Sequence, residues 1–172
     1  MRGESGEPVS PGEVGEIWAR GGNVMTGYWN DPEASRQVLA DGWLRTGDLA
    51  YRDAEGYFYI QGRKNDMIKS GAHRIHPKEI EELIAELHDV AEVAVIGVDD
   101  EILGQVVKAC IVPKPGATLD VMHVKAHCHQ RLATYKIPKY VELVSELPKT
   151  TSGKIRKHLL ASGAQQTVEK TA

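Results

Sequence analysis

The sequence predicts an α+β fold, with a small mixed sheet packed by helices and preceded by strands that have little helix to cover them. Three observations predict it. After residue 76 the apolar patterns run helix, strand, strand, helix, strand, helix. Before residue 62 they run mostly as strands. Between the two lies Gly62-Arg63-Lys64-Asn65, a polar break across which the pattern changes.

Each element has a local reason. Residues 14–20 alternate apolar and polar and read as a strand, which Gly21-Gly22-Asn23 ends. Asp31 before Pro32 is a cap residue followed by proline at the first helical position, so a short helix should follow. Asp41-Gly42 is a turn into a strand at 43–51, and Asp53-Ala54-Glu55-Gly56 connects that strand to 57–61 as a hairpin. Pro77 opens a helix to about residue 87 with Ile80, Leu83, Ile84 and Leu87 on one face. The β-branched runs 90–98 and 106–112 are strands, and Pro113-Lys114-Pro115-Gly116 ends the second. Asp120 caps a helix to about Leu132, residues 140–144 form a short strand, and 155–160 start a last helix. The tail 161–172 is polar and is expected to be disordered. An uncovered sheet exposes edges and an apolar face. Residues 10–60 are therefore expected to be poorly ordered or to self-associate with a second copy.

Composition narrows the function classes. The chain has 172 residues, enough for one or two domains, with 41% hydrophobic and 26% charged residues. A net charge of −3 gives no basic footprint for nucleic acid. No apolar run approaches the roughly 20 residues needed to span a bilayer, and the first residues have no signal-peptide core. Cys110 and Cys128 are too few for a disulfide framework, which fits a cytoplasmic setting.

The chemistry-bearing residues sit at turns. Lys154 lies in Leu147-Pro148-Lys149-Thr150-Thr151-Ser152-Gly153-Lys154-Ile155, a loop able to bring an ammonium group and backbone N–H groups to an anion. It is not a P-loop, which wants Gly where Pro148 stands and Ser or Thr where Ile155 stands. Asp48, after Thr46-Gly47, offers a carboxylate that suits vicinal hydroxyls, or simply an Asx turn. Arg63 at the polar break suits ribose oxygens or phosphate, and Arg74 follows Ser70-Gly71-Ala72-His73 in a second turn. His123 and His127 are spaced for a metal on one helix face, but no third ligand accompanies them, so the metal expectation is none.

Three segments in order carry a family resemblance: Trp43-Leu44-Arg45-Thr46-Gly47-Asp48-Leu49, then Gly62 through Gly71 with Pro77-Lys78-Glu79-Ile80-Glu81, then Pro148 through Lys154. Together they resemble the last three core motifs of the adenylate-forming superfamily, over nearly the whole chain. The resemblance implies that residues 1–61 end a large AMP-binding N-terminal domain and that 62–65 is a hinge. Residues 66–160 would then be the small C-terminal domain, with a short β-hairpin around Gly71. It implies the C-terminal part of an acyl-CoA synthetase acting on a carboxylic, expectedly fatty, acid with ATP, Mg²⁺ and CoA. Lys154 would complete adenylation. Asp48, Arg63 and Arg74 would contact nucleotide, Asn65 would be the hinge residue, and Gly71 would lie along the pantetheine arm of CoA. Ala72 departs from the commoner second glycine, and Asn65 from the commoner Asp or Lys. The phosphate loop and acyl pocket of the family have no counterpart in these residues, so the fragment alone is expected to be inactive. A free-standing CoA- or nucleotide-binding module that docks on a separate large domain is the alternative.

Overall fold

The computed structural model describes residues 1–3 and 5–162. The chain divides into two compact units, one at Met1–Asn65 and one from Asp66 onward.

The first unit holds strand β1 (Gly15–Ala19), helix α1 (Pro32–Val38), and strands β2 (Leu39–Ala40), β3 (Trp43–Arg52) and β4 (Phe58–Arg63). β3 is its spine: β1 pairs antiparallel along one edge, and β2 and β4 pair antiparallel with β3 along the other. Local chemistry sets each junction. The Asp31 carboxylate accepts the Ala34 N–H at 2.9 Å and caps α1. Asp41 and Gly42 carry φ of 52° and 77°, the left-handed pair that a two-residue hairpin between β2 and β3 requires. Asp53 accepts the Tyr57 N–H at 2.8 Å in the β3–β4 turn, and Tyr51 stacks on its cross-strand partner Tyr59 with centroids 4.9 Å apart. Trp18 lies between the guanidinium groups of Arg2 and Arg45, each 4.9 Å from a ring centroid. Residues 10–60 thus form an ordered four-stranded sheet within one chain, against the expectation of poor order. Backbone pairing on both edges of β3 supplies what helical cover does not. β4 runs two residues into the break expected at 62–65, because Gly62 and Arg63 still pair with Leu49 and Asp48.

A 3₁₀ turn, Lys64–Asp66, carries the chain from the first unit into the second. Then come β5 (Ile68–Ser70), β6 (His73–Ile75), α2 (Pro77–Ala85), β7 (Val90–Asp100), β8 (Gly104–Pro113), α3 (Val121–Arg131), a 3₁₀ turn at Thr134–Lys136, β9 (Tyr140–Leu143) and α4 (Lys157–Ser162). The sheet order is β6-β5-β8-β7, and β9 adds parallel to β8. This is the mixed sheet and short hairpin the sequence predicts. α2 and α3 cover one face, where Ile80, Leu83, Ile84, Val124 and Cys128 meet Val95, Val107, Ala109 and Ile111. Each fully buried Ile or Val there contributes about 1.5–3 kcal/mol. The other face buries Ala94 and Cys110 beneath Leu147, with Val144, Ile155 and Leu160 packed around them. Alternation along β8 produces both layers from one strand. The expected tail begins inside α4, and its remainder lies outside the described residues. No helix among the described residues is long and apolar enough to cross a membrane.

Candidate functional site

The polar groups of the first unit converge where β3 bends. Gly47 has φ of 75°, a conformation costly for any side chain. The Thr46 hydroxyl donates to Ile17 O at 2.8 Å and accepts the Asp48 N–H at 3.1 Å, fixing the turn from both sides. The Gly47 N–H donates to Glu16 Oε1 at 3.1 Å. Asp48 stands opposite Arg63 on β4, and Arg63 Nε reaches Asp48 Oδ1 at 3.0 Å. Both side chains remain partly open to solvent. Asp48 and Arg63, chosen separately from sequence, are therefore one carboxylate–guanidinium pair. Glu16 was not foreseen. Its side chain is only 11% exposed, and its second oxygen lies 3.4 Å from Lys64 Nζ. A charge on a short strand reads as solvated; the contacts that bury it come from residues far along the chain. Asn65, the hinge candidate, is the last residue of the first unit and the middle of the 3₁₀ turn.

In the second unit Gly71 occupies the β5–β6 turn at φ of 55°, and its N–H donates to Leu103 O at 2.8 Å. A cleft of about 420 Å³ opens there, lined by Gly71, Ala72, His73, Leu103, Tyr135 and Lys139 among others. His73 and Tyr135 stack face to face with centroids 3.8 Å apart and planes 4° from parallel. At the cleft Lys139 Nζ is 2.6 Å from Asp100 Oδ2. The lysine and the N–H groups of Leu103 and Ile102 hold the Asp100 carboxyl well below the usual range, at about 2, and Asp100 raises the Lys139 ammonium in turn. Arg74 lies on β6, paired across the hairpin with Lys69. Gly71, singled out from the sequence, lines this cleft; the aromatic stack was not foreseen, because Tyr135 sits in a 3₁₀ turn distant in sequence from His73.

Lys154 sits in a small hairpin closed by the Lys149–Ile155 bridge. Its N–H donates to Thr150 Oγ1 at 3.1 Å, the Thr150 N–H donates to Lys154 O at 2.8 Å, and the Gly153 N–H donates to Thr150 O at 2.9 Å. These three N–H groups are engaged within the hairpin. No carboxylate stands within ion-pair distance of the Lys154 ammonium among the described residues. His127 Nε2 lies 3.1 Å from Leu83 O and ties α3 to α2. No group of three His, Cys, Asp or Glu among the described residues could hold a metal.

Comparison with known proteins gives these sites a frame. Residues 79–154 match the family described as AMP-binding enzyme C-terminal domain. The chain is 53% identical over 155 residues to indoleacetate–CoA ligase of Aromatoleum aromaticum (strain DSM 19018 / LMG 30748 / EbN1), a match that covers 90% of this chain and 30% of that protein. It is 49% identical over 158 residues to long-chain-fatty-acid–CoA ligase of Bacillus subtilis (strain 168), with 91% and 28% covered. Among solved structures it superposes on ATP-bound MatB from Rhodopseudomonas palustris with a TM-score of 0.89 and 37% identity, over 96% of this chain and 33% of that one. The chain thus spans about a third of the length of the relatives it matches.

Proposed function

Because the chain belongs to the adenylate-forming superfamily and corresponds to the C-terminal portion of its acyl-CoA ligases, we propose that it supplies the mobile half of an acid–CoA ligase active site. The reading is of two steps. A carboxylate oxygen attacks the α-phosphorus of ATP, and pyrophosphate leaves. The CoA sulfur then attacks the acyl carbonyl, AMP leaves, and the thiol proton passes to solvent. Mg²⁺ enters with the nucleotide as part of the substrate.

The observation that carries the proposal is Lys154, an ammonium without a carboxylate partner among the described residues, on a hairpin closed by its own backbone bonds. Such a charge stabilises the negative charge that gathers on the α-phosphoryl and carboxylate oxygens. In this reading the Asp48 carboxylate accepts the ribose hydroxyls, and Arg63 and Arg74 contact the nucleotide. Asn65, at the junction of the units, absorbs the backbone rotation that exchanges one step for the other. Gly71 and its cleft take the pantetheine arm, and the stacked His73–Tyr135 pair offers a flat aromatic face beside it. The setting we propose is cytoplasmic, where Cys110 and Cys128 stay free thiols. Named relatives act on both an aryl-acetic acid and long-chain fatty acids, so fatty acids are tested beside aryl acids.

The test is acid-dependent acyl-CoA formation from ATP, by this chain alone and by this chain fused behind the large domain of the indoleacetate relative. We expect no turnover alone and indoleacetyl-CoA from the fusion. Lys154→Ala should lower acyl-adenylate formation by about 10²–10³-fold and spare thioester formation from preformed acyl-adenylate. Equal loss in both steps would remove the assignment of Lys154. Activity only when the two parts are mixed as separate chains would favour the free-standing docking module.

A further inference from the structure

An ammonium that must reach an α-phosphate needs support that its own flexible stem does not give. The Lys154 hairpin is closed by its own hydrogen bonds, so its placement depends on how its legs are fastened. The leg before it is held by Lys149, whose Nζ lies 2.7 Å from Glu92 on β7, with both side chains about 40% exposed. The leg after it is held more deeply. Lys157 Nζ lies 2.7 Å from Glu81 Oε1 on α2, with side chains 23% and 20% exposed. The same Glu81 oxygen accepts the Val95 N–H of β7 at 2.7 Å. That N–H points away from β8, at the free edge of the sheet, so Lys157 and Glu81 clip over this edge from opposite faces. Lys157 Nζ is also 4.0 Å from Asp66 Oδ2. Asp66 directly follows Asn65, so one ammonium, on the segment leading out of the Lys154 hairpin, bonds the first helix of the second unit and stands within ion-pair range of the residue beside the junction.

We propose that Lys157 is a positioning residue for Lys154: it clamps the hairpin to Glu81 and Asp66, so that a rotation at Asn65 carries the Lys154 ammonium as one body with the second unit. The proposal rests on the reading of Lys154 given above. Lys157 touches no substrate in it. A partly buried charge-assisted hydrogen bond is short and directional enough for this work, which a solvated surface pair is not.

Two arms test it, and the first needs no catalysis. Hydrogen exchange is read on the 172-residue chain, wild type against Lys157→Met, Lys157→Arg and Glu81→Gln. In Lys157→Met the Gly153 and Lys154 amides should exchange about tenfold faster, the scale of one lost charge-assisted hydrogen bond. Ala109 and Ile111 on β8 should be unchanged, Lys157→Arg should stay near wild type, and Glu81→Gln should fall between. Unchanged hairpin amides would overturn the clamp, and so would equal acceleration on β8, which would mean a general loss of stability. The second arm uses the fusion described above. Lys157→Met should lower kcat for acyl-adenylate formation about tenfold at unchanged KM for ATP, with Lys157→Arg restoring it and thioester formation spared. Full adenylation from a loosened hairpin would overturn the positioning role. If Lys154→Ala is itself without effect, the reading of Lys154 has failed, and the exchange arm alone decides whether the clamp exists.

Discussion

Glu16 turns a bend in a strand into a fixed carboxylate site. One oxygen takes the Gly47 N–H and the other faces Lys64, so the residue before Asp48 and the residue before Asn65 share one carboxylate. Glu16→Ala leaves that N–H without its acceptor and should cost about 1–3 kcal/mol. Glu16→Gln keeps an acceptor and should cost less. Trp18, Trp29 and Trp43 are the three tryptophans of the chain and all lie in the first unit, so urea unfolding followed by their fluorescence measures both. Equal losses in the two variants would mean that the charge, not the hydrogen bond, is what matters. Asp100 gives a pH prediction. Its folded pKa of about 2 lies below the ordinary 3.8, so its stabilising contribution is whole above about 4 and fades as pH falls towards 2. Carboxyl titration by NMR should show that low midpoint, and Lys139→Met should raise it; an unmoved midpoint would deny the pair. Asp48 was singled out through the family resemblance, since its residues alone allowed an Asx turn as well; its pairing with Arg63 comes from the register of β3 and β4. Glu16 was not legible, because the alternation of β1 marks a face and does not say which distant N–H will meet it.

Elements were legible where period and caps agreed. In α2, Ile80, Leu83 and Ile84 are all buried, as the helical spacing requires, and Pro77 stands at its start. Ile84→Ala should cost about 2–5 kcal/mol, read by urea unfolding with far-ultraviolet circular dichroism; a loss under 1 kcal/mol would mean that the layer collapses around the gap. β2, β5 and β6, of two or three residues each, left no pattern long enough to count, and pairing alone defines them. The parallel docking of β9 on β8 was equally silent, since register between distant strands is a property of the packed sheet. The Lys154 loop was read as a turn, and it is one. The Thr150 hydroxyl takes the Lys154 N–H, a local bond that Thr side chains commonly make, and its carbonyl takes the Gly153 N–H.

At the scale of the molecule, the unequal cores of the two units have a measurable consequence. The extended apolar clusters belong to the second unit, while the first buries Ala50 and Glu16 and leaves Tyr57, Phe58, Tyr59 and Ile60 exposed on and beside β4. Tryptophan fluorescence should therefore report unfolding at lower urea than circular dichroism does, and Ile84→Ala should move only the second signal. A single shared midpoint in wild type and variant would show that the units unfold as one. The two apolar layers of the second unit also hold one thiol each. Cys128 is a buried residue of α3 itself, turned toward the sheet, and Cys110 lies beneath the segment that runs from Leu147 to α4; burial raises both pKa values. Each sulfur is thus a separate timer for its own layer. A maleimide pulse resolved by peptide mass should count the lifting of α3 on Cys128 and the peeling of the Lys154 segment on Cys110. Lys157→Met should quicken the second clock and leave the first at its old pace.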